Sequence, residues 1–164
     1  MGRVLLVDDD ENNLSAMRRL LRLETEHDVE TFTRGEEALQ RARGVEFDVV
    51  VADYRMPEMD GTEFMEAFRL LQPTAYRIIA SAFSDSELFR KAINQAQIHR
   101  FIQKPWDGFL LVEAITRGAE QSAMSRELDA LRGEVKRLTN LLEGVAARQP
   151  QLLPPDWRTS PDEA

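Results

Sequence analysis

Several polar residues that could do chemistry stand directly after short apolar runs of the sequence. Asp8 and Asp9 follow VLLV, and Asp53 follows VVVA. Ser81 follows RIIA, and Lys104 follows RFIQ. Two carboxylates about 4 Å apart repel each other by about 4 kcal/mol at an effective dielectric constant of about 20, so a cation must offset their charge where they meet. Carboxylates with a lysine and a hydroxyl indicate phosphoryl chemistry around a hard divalent cation, most simply Mg²⁺.

The elements that must position these residues alternate between strand and helix. Short runs rich in β-branched residues predict strands buried on both faces, at residues 4–7, 29–32, 49–52, 77–80 and 100–102. Helical patterns lie between them, the first opened by Asn12 or Asn13 and the others over 34–42, 61–71 and 84–96. This order predicts an α/β fold with a doubly wound five-stranded parallel sheet, because parallel neighbours need crossover connections. Such sheets bind ligands at the carboxyl ends of their strands.

The composition narrows the class of protein. The chain has 164 residues, no cysteine and a formal net charge of −8 at pH 7. The lack of cysteine excludes disulfide frameworks and cysteine-based metal sites, and the acidic balance argues against direct nucleic-acid binding. No apolar run approaches the roughly 20 residues of a membrane helix, and the first residues are too few and too acidic for a signal peptide. We therefore expect a cytoplasmic protein with no membrane contact.

Four motifs together resemble the receiver domain of two-component response regulators, over about residues 3–118. LLVDDD is similar to the acidic pair of that family and DYRMPEMDG to its phosphoacceptor loop. IIAS is similar to its hydroxyl strand and FIQKP to its lysine strand. The resemblance implies a flavodoxin-like (CheY-like) fold and a phosphorylation switch rather than an enzyme. The partner implied is a sensor histidine kinase or a phosphotransfer protein.

The resemblance also implies roles for the acidic residues. Asp53 would accept the phosphoryl group as an acyl phosphate. Asp8, Asp9 and Asp53 would hold Mg²⁺ together with the main-chain carbonyl of Arg55, with Asp9 as a direct ligand and Asp8 acting largely through water. Lys104 would pair with a phosphoryl oxygen. The chemistry is consistent with this, because phosphoryl transfer depends on positioning and charge neutralisation.

A hydroxyl and an aromatic residue would form the switch. Ser81 would bind the phosphoryl group once it is present, and Phe101, three residues before the lysine, would rotate into the space vacated. Phosphorylation adds close to two negative charges, so contacts that differ between two states can shift a population. Arg55 and Phe83 follow the acceptor and Ser81 by two residues each. They would shield the acyl phosphate from water, which predicts slow self-dephosphorylation.

The pattern changes after residue 118, where apolar residues follow heptad spacing. The two seam positions are occupied by Leu128, Leu131, Val135, Leu138, Leu142 and Val145. A seam that mixes Val with Leu is compatible with a two-stranded coiled coil, and we predict a parallel homodimer. A helix packed on the receiver or on a missing domain is the alternative. The predicted domains are the receiver at 1–118, the coiled-coil helix at 119–148 and a disordered proline-rich tail at 149–164.

Other readings of the site and of the output remain open. The sequence KPWD resembles a subgroup of receivers attached to cyclic-dinucleotide phosphodiesterases or ATPase-type transcription activators, although neither output is visible here. Haloacid-dehalogenase-like phosphatases use a D-x-D motif that Asp8 and Asp10 could supply with Ser81 and Lys104, but they leave Asp53 unexplained. A degenerate receiver that serves only as a scaffold is a further alternative.

Overall fold

The computed structural model describes residues 1–82, 96–149 and 151. Its strands are β1 (Arg3–Val7), β2 (Asp28–Phe32), β3 (Val49–Asp53), β4 (Tyr76–Ser81) and β5 (Arg100–Gln103). The helices of the described residues are α1 (Glu11–Glu24), α2 (Gly35–Ala42), α3 (Gly61–Leu71) and α4 (Gly108–Arg148). The helix predicted over 84–96 lies largely outside the described residues. Among the described residues, no helix combines the length and the apolarity needed to cross a bilayer.

The strands form one parallel sheet in the order β2-β1-β3-β4-β5. The predicted five-stranded α/β fold is therefore confirmed. The chain runs from β1 outward to β2 and then back across to β3, so the winding direction changes between β1 and β3. The crevice outside the carboxyl ends of the strands at such a point is where these folds bind ligands.

The core lies on both faces of the sheet, as expected for parallel strands covered by helices. All five residues of β3 are buried, and the four apolar ones alternate between two apolar clusters. Val50 packs with Phe64 and Phe68 of α3 in one cluster. Val51 belongs to the other cluster, with Ile115 of α4. This burial on two faces holds the end of β3 rigidly in place, and with it the site.

Capping residues fix where the helices begin. Asp10 caps α1, and its side chain accepts a hydrogen bond from the main-chain N–H of Asn12. The prediction that Asn12 or Asn13 caps this helix is wrong, because Asp10 has the extended backbone and the acceptor oxygen that a cap requires. Asp60 and Glu63 form a capping box at the start of α3.

The chain divides into two compact units, residues 1–125 and 126–164. Helix α4 begins in the first unit and ends in the second. The residues of α4 that are buried all lie in the first unit: Leu111, Ala114, Ile115, Gly118, Ala119 and Ser122. The long C-terminal helix is thus confirmed, and it is continuous through Gly118 and Gly133.

Candidate functional site

The carboxyl ends of β1 and β3 bring three carboxylates together. Asp8 directly follows β1, and Asp53 is the last residue of β3, the neighbouring strand. One carboxylate oxygen from each of Asp8, Asp9 and Asp53 lies within 4.8 Å of the other two. Asp8 and Asp53 are only 1% and 8% exposed, whereas Asp9 is exposed. Two anchored carboxylates and one accessible carboxylate thus form the predicted acidic cluster.

Lys104 bridges two of these carboxylates. Its Nζ lies 2.7 Å from Oδ2 of Asp8 and 2.6 Å from Oδ1 of Asp53. Because β4 lies between β3 and β5, the lysine side chain reaches past the end of β4 to make these contacts. Its main-chain N–H donates to the carbonyl of Ser81, at 2.8 Å, which ties the end of β5 to β4. The order of the strands therefore places the predicted lysine in contact with the acidic cluster.

The electrostatics of the cluster follow from burial and from this lysine. Burial raises the pKa of Asp53, and the hydrogen bond from Lys104 opposes that rise. Burial acts to lower the pKa of Lys104, but the hydrogen bonds to Asp53 and Asp8 outweigh it and raise the pKa. The lysine consequently keeps its proton at neutral pH and places a fixed positive charge between the two buried carboxylates.

Hydrogen bonds from two main-chain N–H groups shape the turn after Asp53. The N–H of Arg55 donates to Oδ2 of Asp53, at 2.9 Å, and so holds the carboxylate oxygen that is not paired with Lys104. The N–H of Gly61 donates to the carbonyl of Tyr54, at 2.8 Å. A Cβ at Gly61 would lie 2.6 Å from the carbonyl oxygen of Asp53, so only glycine lets α3 start this close to the strand.

Asn13 contacts the site, although the sequence pattern predicts only a capping role for this residue. Its Nδ2 lies 3.3 Å from Oδ1 and 3.2 Å from Oδ2 of Asp8. The main-chain N–H of Asp10 donates to the same Oδ1, at 2.9 Å. The only signal in the sequence is its position five residues after Asp8, in the first turn of the following helix.

Three of the remaining predicted residues, Ser81, Phe101 and Arg55, lie in described parts of the chain. Ser81 ends β4 and is 6% exposed, and Phe101 is a partly buried residue of β5 that packs against the core cluster around Val50. Arg55 is exposed. Phe83 lies outside the described residues. The switch and shielding roles of these residues stay predictions.

The sheet order and the acidic cluster define a doubly wound α/β protein with three carboxylates at the ends of β1 and β3, the place where such folds bind ligands. The model of the family described as "Response regulator receiver domain" matches residues 4–116. The chain therefore belongs to the response regulator receiver family.

Curated relatives are longer than this chain. The hydrogenase transcriptional regulatory protein HoxA of Bradyrhizobium diazoefficiens is 30% identical over 154 residues, which cover 88% of this chain and 31% of the relative. A cyclic di-GMP phosphodiesterase of Thermotoga maritima is 28% identical over 143 residues, which cover 87% of this chain and 38% of the relative. The chain thus spans about a third of the length of these relatives.

Solved structures match the fold more completely. The signal receiver domain of an HD domain-containing protein from Pseudomonas fluorescens Pf-5 is 30% identical and superposes with a TM-score of 0.72. That match covers 76% of this chain and 91% of the solved chain. The similarity is therefore to a receiver domain as a whole.

Proposed function

We propose that this chain is a phosphorylation switch that accepts a phosphoryl group on Asp53 from a sensor histidine kinase or a phosphotransfer protein and then controls an output. The observation that carries the proposal is the position of Lys104, whose ammonium contacts both Asp53 and Asp8. Receiver domains as a family take phosphate from histidine kinases. The proposed role is that of a switch and not of an enzyme with its own substrate turnover.

The acidic cluster has the donor set that Mg²⁺ prefers. Receiver domains bind Mg²⁺ through acidic residues, and three carboxylate oxygens here lie within 4.8 Å of one another. We propose that Asp8, Asp9, Asp53 and the main-chain carbonyl of Arg55 hold this ion. When bound, a divalent cation supplies charge neutralisation for the phosphoryl oxygens. The exposure of Asp9 leaves the cluster accessible from solvent.

The protein residues contribute positioning to the transfer. A carboxylate oxygen of Asp53 attacks phosphorus, a P–O bond forms, and the P–N bond to the imidazole of the donor histidine breaks as the imidazole leaves. The N–H of Arg55 and the ammonium of Lys104 hold the carboxylate of Asp53 from two sides. Hydrolysis by water later releases phosphate and restores the carboxylate.

The proposed switch uses Ser81 and Phe101. Ser81 lies at the end of β4, the strand between those that supply Asp53 and Lys104, so its hydroxyl is on the correct edge to bind a phosphoryl oxygen. Phe101 is incompletely buried in β5, next to that strand. We further propose that Arg55 and Phe83 shield the acyl phosphate, so that it lasts much longer than seconds in purified protein.

The second proposal concerns the helix beyond the receiver. We propose that the receiver covers residues 1–118, the coiled-coil helix 119–148 and the tail 149–164. The six seam residues from Leu128 to Val145 are 40–63% exposed. An apolar stripe of this spacing favours a parallel coiled-coil homodimer.

Curated relatives are named as transcriptional regulators and as a cyclic di-GMP phosphodiesterase, which supports an output of the kind suggested by the Lys-Pro-Trp sequence. We propose a cytoplasmic switch that does not itself bind nucleic acid.

The structure favours a receiver over a phosphatase of the D-x-D type. In that reading Asp10 would be a catalytic acid beside Asp8. Here the carboxylate of Asp10 accepts the N–H of Asn12 at 2.8 Å and caps α1. Asp53, which the phosphatase reading leaves without a role, is instead held by Lys104.

The phosphorylation proposal is tested by intact mass spectrometry of the full chain after incubation with Mg²⁺ and acetyl phosphate. We expect one added phosphoryl group, which is lost in Asp53→Asn or when Mg²⁺ is removed with a chelator. Asp10→Asn is the matched control, because asparagine caps a helix as well as aspartate does, and it should keep the modification. Phosphorylation of Asp53→Asn, or none of the natural chain, would contradict the proposal.

The dimer proposal is tested by light scattering of the full chain. We expect the mass of two chains, and the mass of one chain after the double substitution Leu131→Glu and Leu138→Glu, because charges in an apolar seam are not tolerated. Asn140→Glu, on the same helix but outside the seam, should leave the dimer intact. A monomeric natural chain would refute the dimer without affecting the phosphorylation proposal.

A further inference from the structure

Asn13 lies against the most deeply buried carboxylate of the site. Its Nδ2 is 3.3 Å from Oδ1 and 3.2 Å from Oδ2 of Asp8. Asp8 is 1% exposed, so its hydrogen bonds must come almost entirely from the protein. The opposite orientation of the carboxamide would place its oxygen against the carboxylate, which is repulsive. The NH₂ group of the Asn13 side chain, rather than its oxygen, therefore faces Asp8.

Three donors together fix the orientation of the Asp8 carboxylate. The main-chain N–H of Asp10 donates to Oδ1 at 2.9 Å, and Lys104 donates to Oδ2 at 2.7 Å. A carboxylate rotates about its last side-chain bond unless both oxygens are held. Asp10 and Lys104 hold one oxygen each, and Asn13 adds a third restraint because its single amide nitrogen contacts both oxygens.

We propose that Asn13 is a positioning residue that sets the affinity of the acidic cluster for Mg²⁺ by holding the carboxylate of Asp8. This inference rests on the proposed function, because it places the ion at Asp8, Asp9 and Asp53. Hydrogen-bond partners of metal-binding residues orient them, and their loss costs 10- to 100-fold in metal affinity as an order of magnitude. The contacts of Asn13 are longer than those of Lys104 and Asp10, so we expect the lower end of that range.

The test is calorimetric titration of Mg²⁺ alone into the full chain and into Asn13→Leu, which keeps a similar volume but has no donor. We expect the dissociation constant to rise about tenfold in Asn13→Leu. Asn12→Ala is the matched control, since that neighbouring side chain makes no described hydrogen bond to Asp8, and its dissociation constant should not change. Thermal unfolding without Mg²⁺ checks that Asn13→Leu remains folded, and Asn13→Ala repeats the test if it does not.

A second readout separates positioning from a merely structural role. The phosphorylation rate of Asn13→Leu with acetyl phosphate should be reduced at low Mg²⁺ and should return to that of the natural chain at saturating Mg²⁺. A dissociation constant within twofold of the natural chain, or a rate that saturating Mg²⁺ does not restore, would overturn the inference about Asn13. Failure of the natural chain to bind Mg²⁺ would instead overturn the proposed function.

Discussion

The two parts of α4 carry apolar side chains at helical spacing but in different surroundings. In the first unit, Leu111 and Ile115 are 1% and 0% exposed. In the second unit, Leu131 and Val135 are 58% and 63% exposed. The same helix therefore contributes to a core at one end and presents an apolar stripe at the other. The comparison shows that apolar spacing predicts the face that a helix buries, whereas the partner of that face depends on the tertiary or quaternary structure.

The largest expected difference comes from truncating one residue in each part. Ile115→Ala should lower the free energy of unfolding of the first unit by about 3 kcal/mol, because it leaves a cavity in the core. Leu138→Ala should change the free energy of unfolding of the first unit by no more than about 0.5 kcal/mol, because Leu138 lies in the second unit and outside both core clusters. Urea unfolding followed by the fluorescence of Trp106, in a Trp157→Phe background, measures both. Equal losses would remove the distinction between the two parts.

The two glycines of α4 provide the next test. A Cβ at Gly118 would lie 2.5 Å from Cδ1 of Tyr76, whereas a Cβ at Gly133 meets nothing within 4 Å. Gly118→Ala should therefore destabilise the first unit by about 1–3 kcal/mol through overpacking. Gly133→Ala should instead stabilise the helix by up to about 1 kcal/mol, because alanine is the better helix former. Thermal unfolding followed by circular dichroism compares them, and a stabilising Gly118→Ala would contradict the packing argument.

A smaller effect is expected from pH, again confined to the first unit. Partial burial of the ring and the charge of Arg77 lower the pKa of His99 to about 4, and its Nδ1 accepts the main-chain N–H of Arg77 at 3.0 Å. The unfolded chain has the ordinary value near 6.5 and binds the proton first as the pH falls. This contribution to stability is complete above pH 6.5 and is lost as the pH falls towards 4. Because His99 is also partly exposed to solvent, we expect a modest change.

The measurement for His99 is the urea midpoint at pH 7.5 and pH 5, compared between the natural chain and His99→Gln. The natural chain should lose more stability between these pH values than the variant does. Other titrating groups contribute to both proteins and largely cancel in the difference. A variant with the same pH dependence as the natural chain would show that His99 does not titrate in this way.

The smallest expected effect concerns an ion pair in the second unit. Arg137 and Glu134 are 2.6 Å apart, but their side chains are 60% and 51% exposed. Water screens such pairs, so Arg137→Gln should leave the thermal unfolding of the full chain unchanged within error. The Nζ of Lys104 and Oδ1 of Asp53 are also 2.6 Å apart, but their side chains are only 16% and 10% exposed, so water screens that pair far less. A clear loss in Arg137→Gln would mean that this face of α4, which lies outside the proposed seam, is covered in solution.

Much of the fold and the acidic cluster could be predicted, because both depend on order along the chain. Apolar runs and helical patterns alternate, and parallel strands place their carboxyl ends at one edge. Asp8, Asp53 and Lys104 meet there for that reason, although they are distant in sequence. Their positions follow from topology alone, and their chemical roles stay predictions.

What could not be predicted depends on side-chain direction and on contacts between distant residues. The contact of Asn13 with Asp8 follows from Asp10 capping α1, and neighbouring residues of the sequence offered equally good caps. The packing of Gly118 against Tyr76 could be predicted only if the position of β4 relative to α4 were already known. In sequence that glycine reads only as a weak helix former.

The bridge made by Lys104 also has a consequence for net charge. Three ionised carboxylates and one ammonium leave two surplus negative charges at the edge of the sheet. A dication at the proposed site would restore neutrality, whereas a monovalent ion would leave one charge uncompensated, so we expect the site to favour a divalent ion. Phosphorylation would remove the carboxylate charge of Asp53 and add close to two negative charges, so about one surplus negative charge would return, and uncharged hydrogen-bond donors at the strand ends would have to stabilise it.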